Sequence, residues 1–396
     1  MLRVVQEHGD IVRLSFGPVP VHFLWHPDGV RRVTVDNHRN YSKKAPGHST
    51  LRRLIGDGLI TSDGELWRNQ RRIIQPAFKK ERLQPLAPSM AKAAREMIDR
   101  WQGDADVDIA VEMTHVSLRI ACETLLGASL ENMEEFASAA GVACADISDQ
   151  ITSPTRLPLW VPTPQNRAFN AALRVIDATV ARTIEKPARG DDMLSLLLEA
   201  EMEPKQLRDE LVTMLLAGHE TTAGTLMWTL WLLAKHPDIR ARVEEEIDRG
   251  GSDLLERVIK ESLRLWPIVW NVARHVEEDD EVLGCRVPKG TVLCLTPYIS
   301  HRNPAFWPEP DVFDPDRFLP ENEKDRPRGA YIPFLAGPRA CIGAGLAMLE
   351  TIVVLTEVMS RFRLDMATGC ETEPIFRFTI RPSGPLLMRP TPRDRS

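Results

Sequence analysis

Cysteine is scarce in this chain and nowhere closely paired. The 396 residues hold six, at 122, 144, 285, 294, 341 and 370, and no two stand at Cys-x-x-Cys spacing. A disulfide framework is therefore not expected, and a reducing compartment, the cytoplasm, fits best. Positive charge is also short. Fifty Lys and Arg against 56 Asp and Glu leave a net charge of −6, which argues against a general nucleic-acid binder. Residues 1–10 are mixed and charged, so no secretory signal is expected. No long apolar run is free of charge. The nearest, Leu211 to Ala234, is long enough to span a bilayer but carries His219 and Glu220 at its middle. A charge there costs on the order of 2.5–3.5 kcal/mol in lipid. The segment is predicted as a long buried helix with a polar notch, and no membrane anchor is expected. Internal repeats, low-complexity tracts and hinge-like linkers are missing as well, so one domain over 1–396 is the simplest account.

What is present is an ordinary globular composition, 43% hydrophobic and 27% charged. The pattern predicts a mainly α chain with small β-sheets. Residues 9–35 alternate as a hairpin with Gly17-Pro18 at its turn, then enter a helix near His26-Pro27-Asp28. Helical spacing marks 64–72, 89–101, 111–126, 207–236 and 254–265, the last two stopped by Pro237 and Pro267. Residues 153–164 hold four prolines and read as an apolar surface loop. Short strands are expected within 282–292 and 375–389, and 303–320 reads as a wrapped coil.

One cysteine sits in a special frame. Residues 334–343 run Phe-Leu-Ala-Gly-Pro-Arg-Ala-Cys-Ile-Gly, followed by an apolar helical run from Ala344 to Leu355. Backbone N–H groups and the helix N-terminus favour a thiolate at Cys341. One sulfur cannot hold zinc or an iron–sulfur cluster, which need three or four ligands. It can hold a haem iron, because the porphyrin supplies four more.

Three other constellations carry chemistry. Glu261 and Arg264 share a helix face at i, i+3, and Arg317 in Pro315-Asp-Arg-Phe318 can join them as a buried network. In the notch Ala217-Gly-His-Glu-Thr-Thr222, Gly218 permits close approach of a flat ligand, and Glu220 beside Thr221 suits proton delivery. His219 reads first as a satisfied polar histidine, with metal ligation as the alternative. Trp67 and Arg71 stand at i, i+4, two donors suited to a carboxylate, whereas Arg68 and Arg72 read as solvated.

In series, the stretch at 217–221, the Glu-x-x-Arg at 261–264, the Pro-x-Arg-Phe at 315–318 and the thiol loop at 334–343 resemble the four motifs of the cytochrome P450 haem-thiolate monooxygenases, in order. His301-Arg-Asn-Pro304 and Trp307-Pro308 also match. The resemblance covers nearly the whole chain. It implies the cytochrome P450 fold, with haem b (iron protoporphyrin IX) between the long central helix and the Cys-loop helix. It implies Cys341 as axial thiolate, Phe334 as the aromatic shielding it, and Gly337 and Gly343 as the turns that admit the porphyrin. Arg339, Arg274, Trp67 and Arg71 are implied propionate partners. Glu220 and Thr221 resemble the acid–alcohol pair that protonates bound oxygen, and Glu261, Arg264 and Arg317 a structural triad.

The reaction so implied inserts one atom of O2 into a small hydrophobic substrate, of the fatty acid, terpenoid or carotenoid class. Its walls would be apolar segments at 46–60, 152–164, 213–217, 268–272 and 376–380. Electrons would come from a separate ferredoxin or flavodoxin-type donor with its reductase, docking on Arg68, Arg72, Lys79, Lys80 and Arg82. The alternatives are a peroxide-driven peroxygenase or isomerase, or a non-catalytic haem-binding sensor. The intact Glu220-Thr221 pair favours the monooxygenase.

Overall fold

The computed structural model describes residues 9–16, 19–101, 105–127, 132–152, 158–185 and 192–393. The expected Gly17-Pro18 turn, the opening residues 1–8, and 153–157 of the proline-rich segment lie outside them. The described chain is mainly helical with small sheets, and it divides into two compact units, Met1–Ser49 with Asp253–Ala344, and Thr50–Ser252 with Gly345–Ser396.

The first unit is built on a five-stranded sheet. Ile11–Phe16 and Val19–Leu24 pair antiparallel, as the alternation predicts. Val292–Leu295 then joins Val19–Leu24 in parallel, and Val272–Val276 and Tyr41–Ser42 complete the sheet antiparallel. Every residue of Val-Leu-Cys-Leu at 292–295 is buried, which explains its unbroken apolar run in place of alternation. Leu24, Val30, Val33, Val276, Leu293, Leu295 and Ile332 form the core over it. The helix Pro27–Arg31 starts where expected: His26 Nδ1 accepts the Asp28 N–H at 3.2 Å, and Pro27 occupies the first turn.

The helix Asp253–Leu265 brings Glu261 and Arg264 to complete burial. Arg264 spends all five N–H donors. Nε and Nη2 donate to the Glu261 carboxylate at 2.6 and 2.8 Å, and the rest go to the carbonyls of His301 (2.9 Å), Pro310 (2.7 Å) and Val312 (3.0 Å). Glu261 also accepts the Asp314 N–H at 2.9 Å, and Arg317 Nε lies 3.5 Å from it. The coil at 303–320 is thus held by a buried ion pair instead of by regular structure. His301 is kept neutral by burial and by the nearby Arg264 and Arg302 charges, which push it down to about 3; its Nε2 accepts the Ile332 N–H at 2.8 Å.

The second unit centres on the helix Pro204–Lys235, longer than the 207–236 expected from sequence because Pro204 is accepted in its first turn. It packs along Ile109–Leu125 and is buried on nearly every face, so it shows no single apolar stripe. Among the described residues no helix is long and apolar enough to cross a membrane. Helices at Met133–Thr152, Pro164–Glu185 and Pro237–Asp248, not singled out by spacing, complete the bundle with Ala344–Arg361. The turn after the helix Pro46–Ile55 lies directly on the long helix. Asp209 accepts the Asp57 N–H at 2.9 Å, Glu210 accepts that of Leu59 at 3.0 Å, and a Cβ on Gly58 would fall 2.0 Å from the Thr213 hydroxyl. The hairpin Pro374–Phe376 and Ile380–Pro382 is tied to the long helix by Trp228 Nε1, which donates to the Ile380 carbonyl at 3.1 Å.

Two expectations follow. Arg264→Ala strands a buried carboxylate and should cost roughly 3–5 kcal/mol, with Arg264→Lys restoring only part; calorimetric melts check this. Burial raises the Glu350 carboxyl on Ala344–Arg361 to about 8 from an ordinary 4.5, opposed only by the Ser117 hydroxyl. Its folded value exceeds its unfolded one, so stability from this group is full below pH 4.5, declines as pH rises, and is lost above about 8. Glu350→Gln should therefore gain on the parent across that interval and level off beyond it; parallel stability curves would show the carboxyl already ionised in the fold.

Candidate active site

The first unit carries the thiol loop. Gly337–Arg339 forms a single 3-10 turn, the Ala340 N–H closing on the Gly337 carbonyl at 3.0 Å. Cys341 donates its N–H to the Phe334 carbonyl at 2.9 Å, which closes the loop on itself and leaves the cysteine exposed three residues ahead of the helix Ala344–Arg361. Two residues take left-handed backbone to make this turn, Leu335 at φ 57° and Gly337 at φ 71°. Leucine there is strained by about 1–2 kcal/mol; at Gly337 no side chain fits at all, because a Cβ would fall 1.8 Å from the Thr34 carbonyl oxygen. The requirement at Gly337 is thus set by the chain beneath it. Phe334, Arg339 and Gly343 are half-buried around the loop. Arg274 lies in the strand Val272–Val276, 6% exposed, with Nη1 donating to the Ala273 carbonyl at 2.9 Å.

The second unit carries the notch. Its hydroxyls bond back along the helix. Thr221 donates to the Ala217 carbonyl at 2.8 Å, Thr222 to Gly218 at 2.9 Å, Thr225 to Thr221 at 3.0 Å and Thr229 to Thr225 at 2.7 Å. His219 Nδ1 meets the Leu215 carbonyl at 2.7 Å, and burial lowers its pKa, so it is a satisfied neutral core histidine. A Cβ on Gly218 would stand 3.6 Å from Ala121 and Leu125, an ordinary van der Waals contact, so the helix packing on that side does not itself require glycine.

Glu220 is buried, yet it stays ionised. Desolvation pushes its carboxyl up, but the Arg381 guanidinium, with the Thr379 hydroxyl and the Cys144 thiol, outweighs that and leaves it below the ordinary value. Its Oε1 accepts from Thr379 Oγ1 at 2.7 Å and from Arg381 Nε at 3.1 Å, and Arg381 Nη2 completes the ion pair at 2.5 Å. Glu220 and Thr221, adjacent in sequence, thus send their side chains to different partners. Sequence analysis missed Arg381 and Thr379, 161 and 159 residues away. The one available signal was a lone cation in the strand Ile380-Arg-Pro382.

Trp67 and Arg71 lie on the helix Gly64–Ile74, capped by Asp63, whose Oδ1 accepts the Gly64 N–H at 2.8 Å. They are half-buried and line a groove of about 430 Å³ together with Arg68, Arg72, Gln75, Pro76 and Lys79. Arg68 and Arg72 thus share the groove with the expected propionate donors. Lys80 and Arg82 are exposed on the next short helix, Lys80–Leu83.

Among the described residues no group of three or more His, Cys, Asp or Glu could hold a metal ion. A lone exposed thiol suits only a metal that arrives with most of its ligands, as a haem iron does. Within the first unit, the cations Arg274 and Arg339 are of the kind that pairs with carboxylates such as the propionates of that group.

A family model described as Cytochrome P450 matches residues 1–393. The chain is 34% identical to the cyclooctatin synthase of Streptomyces melanosporofaciens, over 99% of this chain and 91% of that one. It is 35% identical to the cyclooctat-9-en-7-ol 5-monooxygenase of the same organism, over 93% and 85%. The crystal structure of the cytochrome P450DA heme domain superposes with a TM-score of 0.88 at 28% identity, over 100% of this chain and 92% of that one.

Gly337→Ala should lower the melting temperature by several degrees or abolish folding, because the loop and Thr34 cannot both stay in place. A melt equal to the parent's would show that the turn has slack.

Proposed function

From the premise that the chain belongs to the cytochrome P450 family, we propose what its site residues do. The protein is a haem-thiolate monooxygenase acting on hydrophobic substrates. The exposed single thiol in its closed loop carries the assignment of Cys341 as iron ligand. Haem b suits the chain, since no Cys-x-x-Cys-His offers a covalent attachment. Arg71, Arg274, Arg339 and the Trp67 indole would hold its propionates, and Phe334 and Gly343 would flank the sulfur side. When bound, the haem supplies reductive activation of dioxygen and insertion of one oxygen atom into a C–H or C=C bond, the other leaving as water.

The residues contribute positioning and protons. The short loop from Phe334 to Cys341 fixes the sulfur, while the helix N-terminus behind it favours the thiolate. Two protons are consumed per turnover, and we assign their relay to Glu220 and the Thr221 hydroxyl. Burial of the long helix around the notch keeps bulk water from taking over that role.

The substrate is a terpenoid, in our proposal. Support comes from the alicyclic alkenol named for one relative, and from apolar residues in the expected wall segments, among them Leu51, Leu54, Met214 and Ile268. Electrons would come from an acidic ferredoxin or flavodoxin on the groove face, where Arg68, Arg72 and Lys79 are exposed beside Trp67. A cytoplasmic location accords with the six cysteines, none of them in a disulfide.

The purified protein, reduced and exposed to carbon monoxide, should show the strongly red-shifted Soret band of thiolate ligation, and Cys341→His should lose it while keeping haem. An unshifted band in the parent refutes the ligand assignment. In spectral titrations, cyclic terpene alcohols should drive the low- to high-spin change at lower concentration than C12 to C18 fatty acids. The double charge reversal Arg72→Glu with Lys79→Glu should slow reduction by ferredoxin at least tenfold at low salt; an unaltered rate moves the docking face elsewhere.

A further inference from the structure

Side chains of three helices take up the backbone of residues 54–61, a stretch that ends in turns with no ladder of its own. From the long helix Pro204–Lys235, Arg208 Nη1 donates to the Leu54 carbonyl at 3.1 Å, Asp209 Oδ2 accepts the Asp57 N–H at 2.9 Å, and Glu210 Oε2 accepts that of Leu59 at 3.0 Å. Gln70, on Gly64–Ile74, donates to the Asp57 carbonyl at 2.7 Å. Arg52, on Pro46–Ile55, donates to the Thr61 carbonyl at 2.8 Å. The fit is close. A Cβ on Gly56 would fall 2.0 Å from the Asp209 carboxyl carbon, and one on Gly58 2.0 Å from the Thr213 hydroxyl.

Asp209 and Glu210 are 2% and 0% exposed. Consecutive buried carboxylates are costly, and they persist only where fixed donors replace water. For Asp209 these donors are the Asp57 N–H, Arg208 Nη1 at 3.0 Å and Lys205 Nζ at 3.2 Å. Arg208 is held in turn by Asp177 of the helix Pro164–Glu185, its Nε donating to Oδ1 at 2.8 Å. A loop that only joins two helices has no use for buried charge beneath it. Here the charge fixes where the turn sits.

We infer that Asp209 and Glu210 are positioning residues for the substrate wall: they fasten residues 54–61 to the long helix, so that this part of the wall keeps one shape whether or not substrate is bound. Selection among substrates then follows from fit to a preformed apolar surface, to which Leu54 and Ile60 belong. Such a surface favours a rigid alicyclic skeleton over a flexible chain, which loses more conformational freedom on binding. The inference rests on the proposed reading of 46–60 as substrate wall.

The test is hydrogen exchange by mass spectrometry on the haem-loaded protein, read on peptides covering 54–62. It is run with and without the terpene alcohol or fatty acid that gives the largest spin change. In the parent these amides should exchange about a hundredfold slower than in an unfolded chain, and equally so in both conditions. Fast exchange that slows only when the ligand binds overturns the inference. Asp209→Ala should speed exchange in this stretch, weaken the ligand about tenfold in spectral titration and broaden the set of oxygenated products. Asp209→Asn, which keeps an acceptor for the Asp57 N–H, should restore most of all three. Should Asp209→Ala fail to fold, Gly58→Ala lifts the turn off the helix without altering either carboxylate and should act in the same direction. Exchange unmoved in whichever of these variants folds overturns the inference. Ile60→Ala separates it from its premise. If that change moves neither affinity nor products, the wall reading itself falls. If it moves them, while Asp209→Ala speeds exchange and leaves affinity and products alone, only the positioning role falls.

Discussion

The Arg264 guanidinium is the constraint on which the thiol loop depends. A planar cation with five fixed donors can be buried only where five acceptors are already arranged, and here they are. Two of them, on Pro310 and Val312, are carbonyls of a coil that has no ladder of its own, and a third, on His301, stands just ahead of it. From that coil the support continues in short steps. His301 receives the Ile332 N–H, Trp307 donates to the Ala330 carbonyl at 3.2 Å, and Tyr331 donates to the Lys260 carbonyl at 2.9 Å. Leu335 then bonds back to Ile332 at 3.1 Å, and the loop to Cys341 begins. The loop that carries Cys341 is thus supported by an ion pair between residues three apart.

The notch obeys the opposite rule. Its helix is buried along most of its length, so each polar side chain needs a partner nearby. The threonines find one a turn back, on carbonyls that already accept a helical bond. In the notch itself Glu220 reaches outside the helix, and by doing so it couples the helix to Thr379 and to Arg381 of the strand Ile380–Pro382. Burial alone would have neutralised it; the guanidinium reverses that outcome.

What sequence could show was whatever is written within a few residues. The frame around Cys341, the i, i+3 spacing of Glu261 and Arg264, and the prolines that end helices are local marks, and the structure has the corresponding elements. The strand 292–295 was legible only as apolar, since burial on both faces removes alternation. The helices Met133–Thr152 and Pro164–Glu185 mix alanine with charge on several faces and gave no sharp stripe. Arg381 was illegible for another reason, because its meaning lies in a residue 161 positions earlier.

The five-stranded sheet has a consequence for how the chain is made. Val21 to Leu24 pair with Val292 to Leu295, so the hairpin strand leaves the ribosome some 270 residues before its partner exists. At roughly 5–20 residues per second that interval is tens of seconds. Throughout it the nascent chain carries an apolar edge open to any other strand. Pro20, with no N–H to offer, falls just outside the stretch that pairs with Val292 to Leu295, and blunts that edge while it waits.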